Sequence, residues 1–287
     1  MEKARGRKNK VIIGIICGVL ALLVLFGIWI IIENNIFMTK RYSVPSEKIE
    51  NDLTIIQISD LHNKKFGKDN KRLAAEIKKL SPDLIVFTGD TVDSEKNQNS
   101  LALIREISSV APTYLSLGNH EAALDYKIFS DFCAKVEECG AKVLDNEVLS
   151  LTLNGNDINL AAISDPNAFA LSEKGTALES KIKELTENLD GTDFTLALSH
   201  RPEYFDIYTS YPLDLTLTGH AHGGQWRLFG LAGYATGQGL FPKLTSGLHK
   251  KNNRDMIISR GLGNGKPIPR IFNIPELVVI TLTNGKA

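Results

Sequence analysis

The chain has 287 residues, with 33 Lys and Arg balanced by 33 Asp and Glu, and 43% of its residues are hydrophobic. That length suffices for a membrane anchor plus one large domain or two small ones, and zero formal net charge excludes nucleic acid as a bulk electrostatic partner. Three cysteines are too few for a disulfide framework. Cys17 lies in an apolar run, and Cys133 and Cys139 share a predicted helix, about 9 Å apart at the helical rise and beyond disulfide reach.

Residues 1–10 form a basic segment, with Lys3, Arg5, Arg7, Lys8 and Lys10 against Glu2 alone. Residues 11–32 follow without a single charge, long enough to cross a bilayer as a helix. The run ends in bulky Ile30-Ile31-Ile32 rather than the small residues of a cleavage site, so it reads as an uncleaved anchor rather than a signal peptide. Five basic residues precede the span and three (Lys40, Arg41 and Lys48) follow it closely, a bias that keeps the N-terminus cytoplasmic and places the bulk of the chain outside the cell membrane. Residues 33–51, polar and punctuated by Pro45, read as a tether to a domain over 52–287.

Within that domain strands and helices alternate. Leu53–Ser59, Leu84–Thr88 and Thr113–Leu117 read as strands, the second apolar throughout, as expected when both faces are buried. Helices are expected at 69–80, 99–109 and 125–139, the last capped by Gly140. The second half is richer in strands, at 141–144, 148–153, 158–163, 194–199, 213–218, 224–229, 255–260 and 276–283, with one helix at 177–188. Residues 230–253, rich in Gly and Lys, read as a long loop.

Five strand ends carry chemistry. They are Asp60-Leu61-His62, Gly89-Asp90-Thr91-Val92-Asp93, Gly118-Asn119-His120-Glu121, Ser199-His200 and Gly219-His220-Ala221-His222-Gly223-Gly224. Five of the six histidines fall in these stretches; His249 does not. Ligands of α/β folds bind outside the carboxyl ends of strands, so the five ends are expected to converge. If the strand geometry persists, His220 and His222 point to the same side. Glu121 reads as a helix-starting acid, and Asp93 either orients a histidine or caps a helix. Arg201, Arg260 and Arg270 are candidate phosphate contacts or surface ion-pair partners.

Taken in order, Asp-x-His, Gly-Asp, Gly-Asn-His, a single His and Gly-His-x-His resemble the calcineurin-like metallophosphoesterase superfamily. With Gln225, Ser259-Arg260-Gly261-Leu262-Gly263 and Pro275-Glu276-Leu277, the pattern is similar to its membrane-anchored bacterial branch, which includes phosphodiesterases and UDP-diacylglucosamine hydrolases. The resemblance implies an α/β fold, the four-layer α/β/β/α sandwich of that family, behind one N-terminal transmembrane helix. It implies two divalent metal ions, one held by Asp60, His62 and His222, the other by Asn119, His200 and His220, with Asp90 bridging.

Two carboxylates against four positive charges would leave the site electropositive, drawing in a phosphate and activating a bridging hydroxide for in-line attack. His120 would protonate the leaving oxygen or stabilise the transition state. The donor set suits Mn, Fe, Zn or Co, with manganese preferred here. The expected reaction is hydrolysis of a phosphodiester or pyrophosphate in a lipid-linked, envelope or nucleotide-linked substrate. The alternatives are a phosphomonoesterase or nucleotidase, and a non-catalytic metal-binding scaffold.

Overall fold

The computed structural model describes residues 2–167, 173–265 and 267–285. Residues 168–172, Lys266 and 286–287 of the expected 52–287 domain lie outside the described residues, as do the side chains of 1–8 in the basic segment. The elements in chain order are α1 (Glu2–Glu33), β1 (Met38–Ser46), β2 (Leu53–Ile58), α2 (Lys71–Lys79), β3 (Leu84–Thr88), α3 (Gln98–Ser108) and β4 (Thr113–Ser116). Then come α4 (Tyr126–Glu138), β5 (Lys142–Leu144), β6 (Glu147–Leu153), β7 (Asn156–Ala162), α5 (Lys174–Thr186), β8 (Phe194–Leu198), α6 (Phe205–Tyr208) and β9 (Leu215–Thr218). The chain closes with β10 (Arg227–Leu228), β11 (Leu231–Ala232), β12 (Tyr234–Ala235), β13 (Gly239–Leu240), β14 (Gly247–Lys251), β15 (Arg254–Ile258) and β16 (Glu276–Asn284).

Two six-stranded sheets carry the domain, ordered β1-β16-β2-β3-β4-β5 and β14-β15-β9-β8-β7-β6. Alternation along each central strand sends its apolar side chains to two separate cores, which makes four layers. Ile55, Leu84, Val86 and Ile280 of the first sheet meet Leu160, Leu196, Leu217 and Ile257 of the second in the middle. The opposite face of the first sheet, with Ile56, Ile85, Phe87 and Val279, takes Leu73 and Ile77 of α2, Leu103, Ile104 and Ile107 of α3, and Phe132 and Val136 of α4. Leu178 and Ile182 of α5 and Tyr208 of α6 cover Ala197, Met256 and Ile258 on the far side of the second sheet. The α/β/β/α sandwich expected from the resemblance is the observed architecture.

Three local expectations are corrected. Residues 38–46 are not tether: β1 pairs in parallel with β16 from Met38↔Glu276 to Ser46↔Asn284. The strand is exposed along one edge, so Lys40, Arg41 and Pro45 sit where a solvated side chain or a missing donor is tolerated. The expected strand at 224–229 shrinks to β10, because Gly224 and Gln225 have φ of 80° and 55° and turn the chain out of the sheet. Residues 230–253 are not an open loop but fold into β11 to β14, of which three are two-residue ladders too short to leave a period-2 pattern. His249 lies on β14, away from the other five histidines. Helix α1 holds the span Ile12–Glu33, long and apolar enough to cross a membrane.

Candidate active site

The parallel strands β2, β3, β4, β8 and β9 end on the same side of the sandwich, and their loops are stitched to one another. Asp60 N and His62 N donate to Gly89 O and Asp90 O at 3.1 and 3.0 Å. Gly219 N donates to His200 O at 3.0 Å, and Gln57 Nε2 bridges the sheets by donating to Thr88 Oγ1 and Thr218 O at 3.0 and 2.9 Å. Asp60, His62, Asp90, His220 and His222 all have left-handed backbone, with φ between 46° and 62°. A side chain on an extended strand projects to one face of the sheet; the left-handed turn at the strand end swings it over the edge into the crevice. Such residues cost about 1–3 kcal/mol each and persist only where the surroundings over-determine them.

That geometry also corrects the expected common direction of His220 and His222. With Gly223 at φ 62° as well, the turn splits the two imidazoles between two clusters. Asp60, His62, Asp90 and His222 bring one donor atom each within 4.8 Å of one another, and Asp90, His200 and His220 do the same. Asp90 belongs to both. Its Oδ2 lies 3.1 Å from His200 Nε2 and 3.8 Å from the Nε2 atoms of both His62 and His120. The Nε2 of His222 is 3.5 Å from Asp60 Oδ1, and His220 Nδ1 is 3.1 Å from His200 Nε2.

The other ring nitrogens are held from behind. His62 Nδ1 contacts Asp93 Oδ1 at 2.5 Å, and His200 Nδ1 contacts Thr88 O at 2.7 Å. Such backing fixes the tautomer that turns the Nε2 lone pair toward the crevice. His62, Asp93 and His120 also converge, but through the Nδ1 atoms at hydrogen-bonding distance, so this third group is an orienting triad rather than an ion cage.

Whether ions fit can be judged from polar atoms without partners. His62 Nε2 and Asn119 Oδ1 are buried and accept or donate nothing within the chain. Orphaned buried polar atoms are costly; His62 belongs to the first donor cluster, and Asn119 lines the cavity with Asp90 and His220. Glycines leave the approach free of carbon: a Cβ on Gly219 would lie 1.8 Å from Ser59 Oγ and 2.3 Å from Asp60 Oδ2. The residues present fit a binuclear divalent centre.

Charge is arranged to match. Burial alone would raise the Asp90 carboxyl, but the His200 charge and hydrogen bond outweigh it and hold it well below the carboxylate range. Burial raises Asp60 despite the opposing pull of His200. Burial and neighbouring cationic groups keep His220 and His222 neutral, as ligands must be. His200 reaches about 10, because Asp90 overcomes its burial, so uptake of an ion must displace that proton. His120 is pushed up to about 9, first by its hydrogen bond to Asp93, with burial opposing and Asp90 adding to the rise.

A cavity of 160 Å³ opens over these groups, lined on the floor by Asp90, Asn119, His120, His220 and His222 and on the rim by Gln225, Tyr234, Thr236 and Ile268. A calcineurin-like phosphoesterase family model matches residues 53–224, more than half of the chain. The chain belongs to the calcineurin-like phosphoesterase family. It is accordingly a metal-dependent phosphoester hydrolase, and the sandwich described above is the family's fold. An uncharacterized metallophosphoesterase of Aquifex aeolicus is 28% identical over 265 residues, covering 90% of this chain and 97% of its own length. The UDP-2,3-diacylglucosamine pyrophosphatase LpxG of Chlamydia muridarum is 28% identical over 275 residues, covering 79% and 83%. Among solved structures, TT1561 of Thermus thermophilus shares the fold with a TM-score of 0.50 at 13% identity, over 74% of this chain and 91% of its own.

Of the residues expected to hold ions, six fall in the two donor clusters, and Asn119 lines the cavity with His120. The arginines are not spare phosphate contacts. Arg201 is buried against Asp165, with Nε to Oδ2 at 2.6 Å and Nη2 to Oδ1 at 3.1 Å, and its Nη1 lies 3.3 Å behind His220 Nε2. Arg270 is fully buried; its Nη2 donates to Gly263 O at 2.6 Å and lies 3.3 Å from His222 Nδ1. Arg260 is engaged by Glu276, which accepts from its backbone N at 2.9 Å.

Glu121 does more than start a helix, for only a single 3-10 turn follows it. It is buried and accepts from the backbone N–H groups of Asp90, Thr91, Val92 and Gly118 at 2.6–3.0 Å, locking the loops after β3 and β4 together. The signal for this role was its place directly after Asn119-His120, with no helical periodicity behind it.

Proposed function

We propose that this chain is a membrane-anchored phosphodiester or pyrophosphate hydrolase working on a lipid-linked or nucleotide-linked substrate outside the cell membrane. Asp60, His62 and His222 would hold one ion and Asn119, His200 and His220 the other, with Asp90 shared and manganese the preferred metal. When bound, such ions supply Lewis acidity and an activated water. The chain does the rest. His120, cationic up to about pH 9 through Asp93, stands over Asp90 at the cavity floor, where it meets a bound phosphoryl oxygen and gives a proton to the departing one. Asp93 holds both His62 and His120 in register, and Glu121 keeps Asp90 and Asn119 at a fixed separation through their loops.

The observation that carries the reading is Asp90, a buried carboxylate common to both donor clusters with His120 beside it. The lipid-linked class is supported by similarity to LpxG over 79% of the chain and by the join between α1 and the domain. Glu33, the last residue of the span, is buried and accepts from Phe272 N and Asn273 N, and Asn34 Nδ2 donates to Arg270 O at 2.9 Å. A leader destined for removal has no use for such a dock, which supports retention of the anchor.

The test uses the full chain in lipid nanodiscs, stripped of metal and then resupplied with Mn²⁺. Bis-p-nitrophenyl phosphate, p-nitrophenyl phosphate and a UDP-linked diacylglucosamine are assayed side by side. Metal-dependent cleavage of the diester or pyrophosphate is expected, lost in Asp90→Asn and lowered about 10²-fold or more in His120→Ala. Faster turnover of the monoester would favour a phosphomonoesterase instead, and two bound metals without turnover of any of the three would favour a scaffold.

A further inference from the structure

Beside the cavity the surface is apolar and bare. Leu228, Phe229 and Leu231 crown the β10–β11 hairpin at 58, 95 and 68% exposure, and Leu240, which ends β13, and Phe241 after it are at 74% each. Phe229, Phe241 and Phe272 also have left-handed backbone, with φ of 51°, 52° and 53°. A bulky residue in that region is an outlier, and an exposed one gains nothing from packing to offset the strain. Phe229 and Phe241, so exposed and so held, imply an apolar receiver outside the chain.

The same surface runs into α1. The Phe272 ring lies 4.7 Å from that of Trp29 and 6.4 Å from that of Phe26. Those two residues precede Glu33 by four and seven positions, so at the helical rise Phe272 lies alongside the span roughly 6–10 Å inside its end. Ile268, on the cavity rim, shares a surface hollow with Ile30 and Ile31. Leu228, Phe229 and Phe272 share another. No Asp or Glu occurs between Ala221 and Asn253, nor between Met256 and Pro275, although both stretches carry Arg and Lys. Apolar and aromatic tips on stretches whose own charges are all basic suit the interface of a bilayer.

We propose that the β10–β11 and β12–β13 hairpins, together with Phe272, dip into the leaflet that α1 enters. The cavity over Asp90 then opens at the lipid–water boundary, and the substrate keeps its acyl tail in the bilayer while its phosphoester reaches the site. This placement rests on the anchor and phosphoester reading above, but penetration can be measured without any turnover.

The full chain is placed in phosphatidylcholine–phosphatidylglycerol vesicles. Its two tryptophans are Trp29 and Trp226, so W29F/W226F/F229W carries one indole at the hairpin tip. W29F/W226F/Y126W carries one at the 82% exposed start of α4. Acyl-brominated lipid is expected to quench the F229W indole and leave the Y126W indole unchanged. Co-flotation with equal, negligible quenching of both indoles overturns the proposal. A chain that does not float with vesicles removes the anchor reading instead.

Phe229→Asp/Leu240→Asp, both outside the cavity lining, tests the second half. Turnover of the UDP-linked diacylglucosamine should fall about tenfold relative to bis-p-nitrophenyl phosphate, whose rate stays at wild type. An unchanged ratio overturns the placement of the mouth at the boundary.

Discussion

Asp93→Asn separates the proton held by His120 from the rest of the site. Asp93 sits about 2, because its hydrogen bonds from His120 and His62 outweigh burial, so it is anionic at any working pH. Across 2.9 Å it holds the His120 proton and raises that group to about 9. A raised imidazole keeps its charge below the folded value and loses it as pH rises through that value, so a catalytic acid at this position gives a basic limb. Asparagine leaves an acceptor of the same size and removes the charge. A hydrogen bond to a charged group contributes about 1.5–3 kcal/mol, and with 37% of the Asp93 side chain exposed the lower end applies. At about 1.36 kcal/mol per pKa unit, the basic limb should move down by about one unit. Half a unit below the wild-type limb the protonated fraction falls from about three quarters to about one quarter, a roughly threefold loss, while two units further down the variant is close to wild type. Bound cations lower His120 in both forms alike, so the displacement between the two profiles is the readout. The assay is kcat/KM for a diester from pH 5.5 to 10 at saturating Mn²⁺, with metal content checked at each end. A limb that does not move, or a loss uniform across pH, would refute the role assigned to the His120 proton.

Two further substitutions test the scaffold under the ions. Glu121→Gln replaces a carboxylate that accepts from four backbone N–H groups with an amide that turns two hydrogens toward them; a loss of about 2–3 kcal/mol is expected, and a melting temperature within error of wild type would show that the loops are held otherwise. Gly219→Ala puts a methyl within 2.3 Å of Asp60 Oδ2, so the first cluster should lose its ion while the second keeps one, and a metal content still near two per chain by elemental analysis would show that the strand end can yield.

Much of the fold was legible because its strands are long and its patterns unmixed. Leu84–Thr88 reads as buried on both faces and is, with helices outside it and the second sheet within. β1 was illegible because an edge strand needs few apolar residues: Tyr42 and Val44 alone face the middle core, and what fixes Met38–Ser46 is nine paired positions on β16, more than two hundred residues away. The hairpins from β10 to β13 were lost for the opposite reason, since two-residue ladders are set by turns such as Phe229-Gly230 rather than by period. At the site, the residue types and their order were enough to gather the ligands. Their directions were not. H-x-H on an extended strand gives one face, whereas left-handed backbone at His220 and His222 gives two clusters sharing Asp90. Arg201 and Arg270 read as surface ion-pair partners or phosphate contacts, and Glu121 as a helix-starting acid, because burial of a charge depends on partners that no local pattern shows.

Arg270 shows what that hidden layer joins. Its guanidinium is fully buried among carbonyl oxygens, donating to Gly263 O and lying behind His222 Nδ1, with no carboxylate paired to it among the described residues. Burial pulls it down to about 10, still far enough up to leave it cationic at neutral pH. A charge so placed stiffens the segment it anchors, because any movement would strip it of acceptors that water cannot replace. The main chain of the same residue belongs to the anchor: Arg270 N donates to Asn34 Oδ1 at 2.9 Å and Arg270 O accepts from Asn34 Nδ2, across 236 positions of sequence. One residue therefore fixes both the imidazole expected to hold an ion and the end of the apolar helix. Since the segment cannot follow one without the other, the orientation of the site relative to the apolar helix is set by the fold itself rather than by the length of a flexible tether.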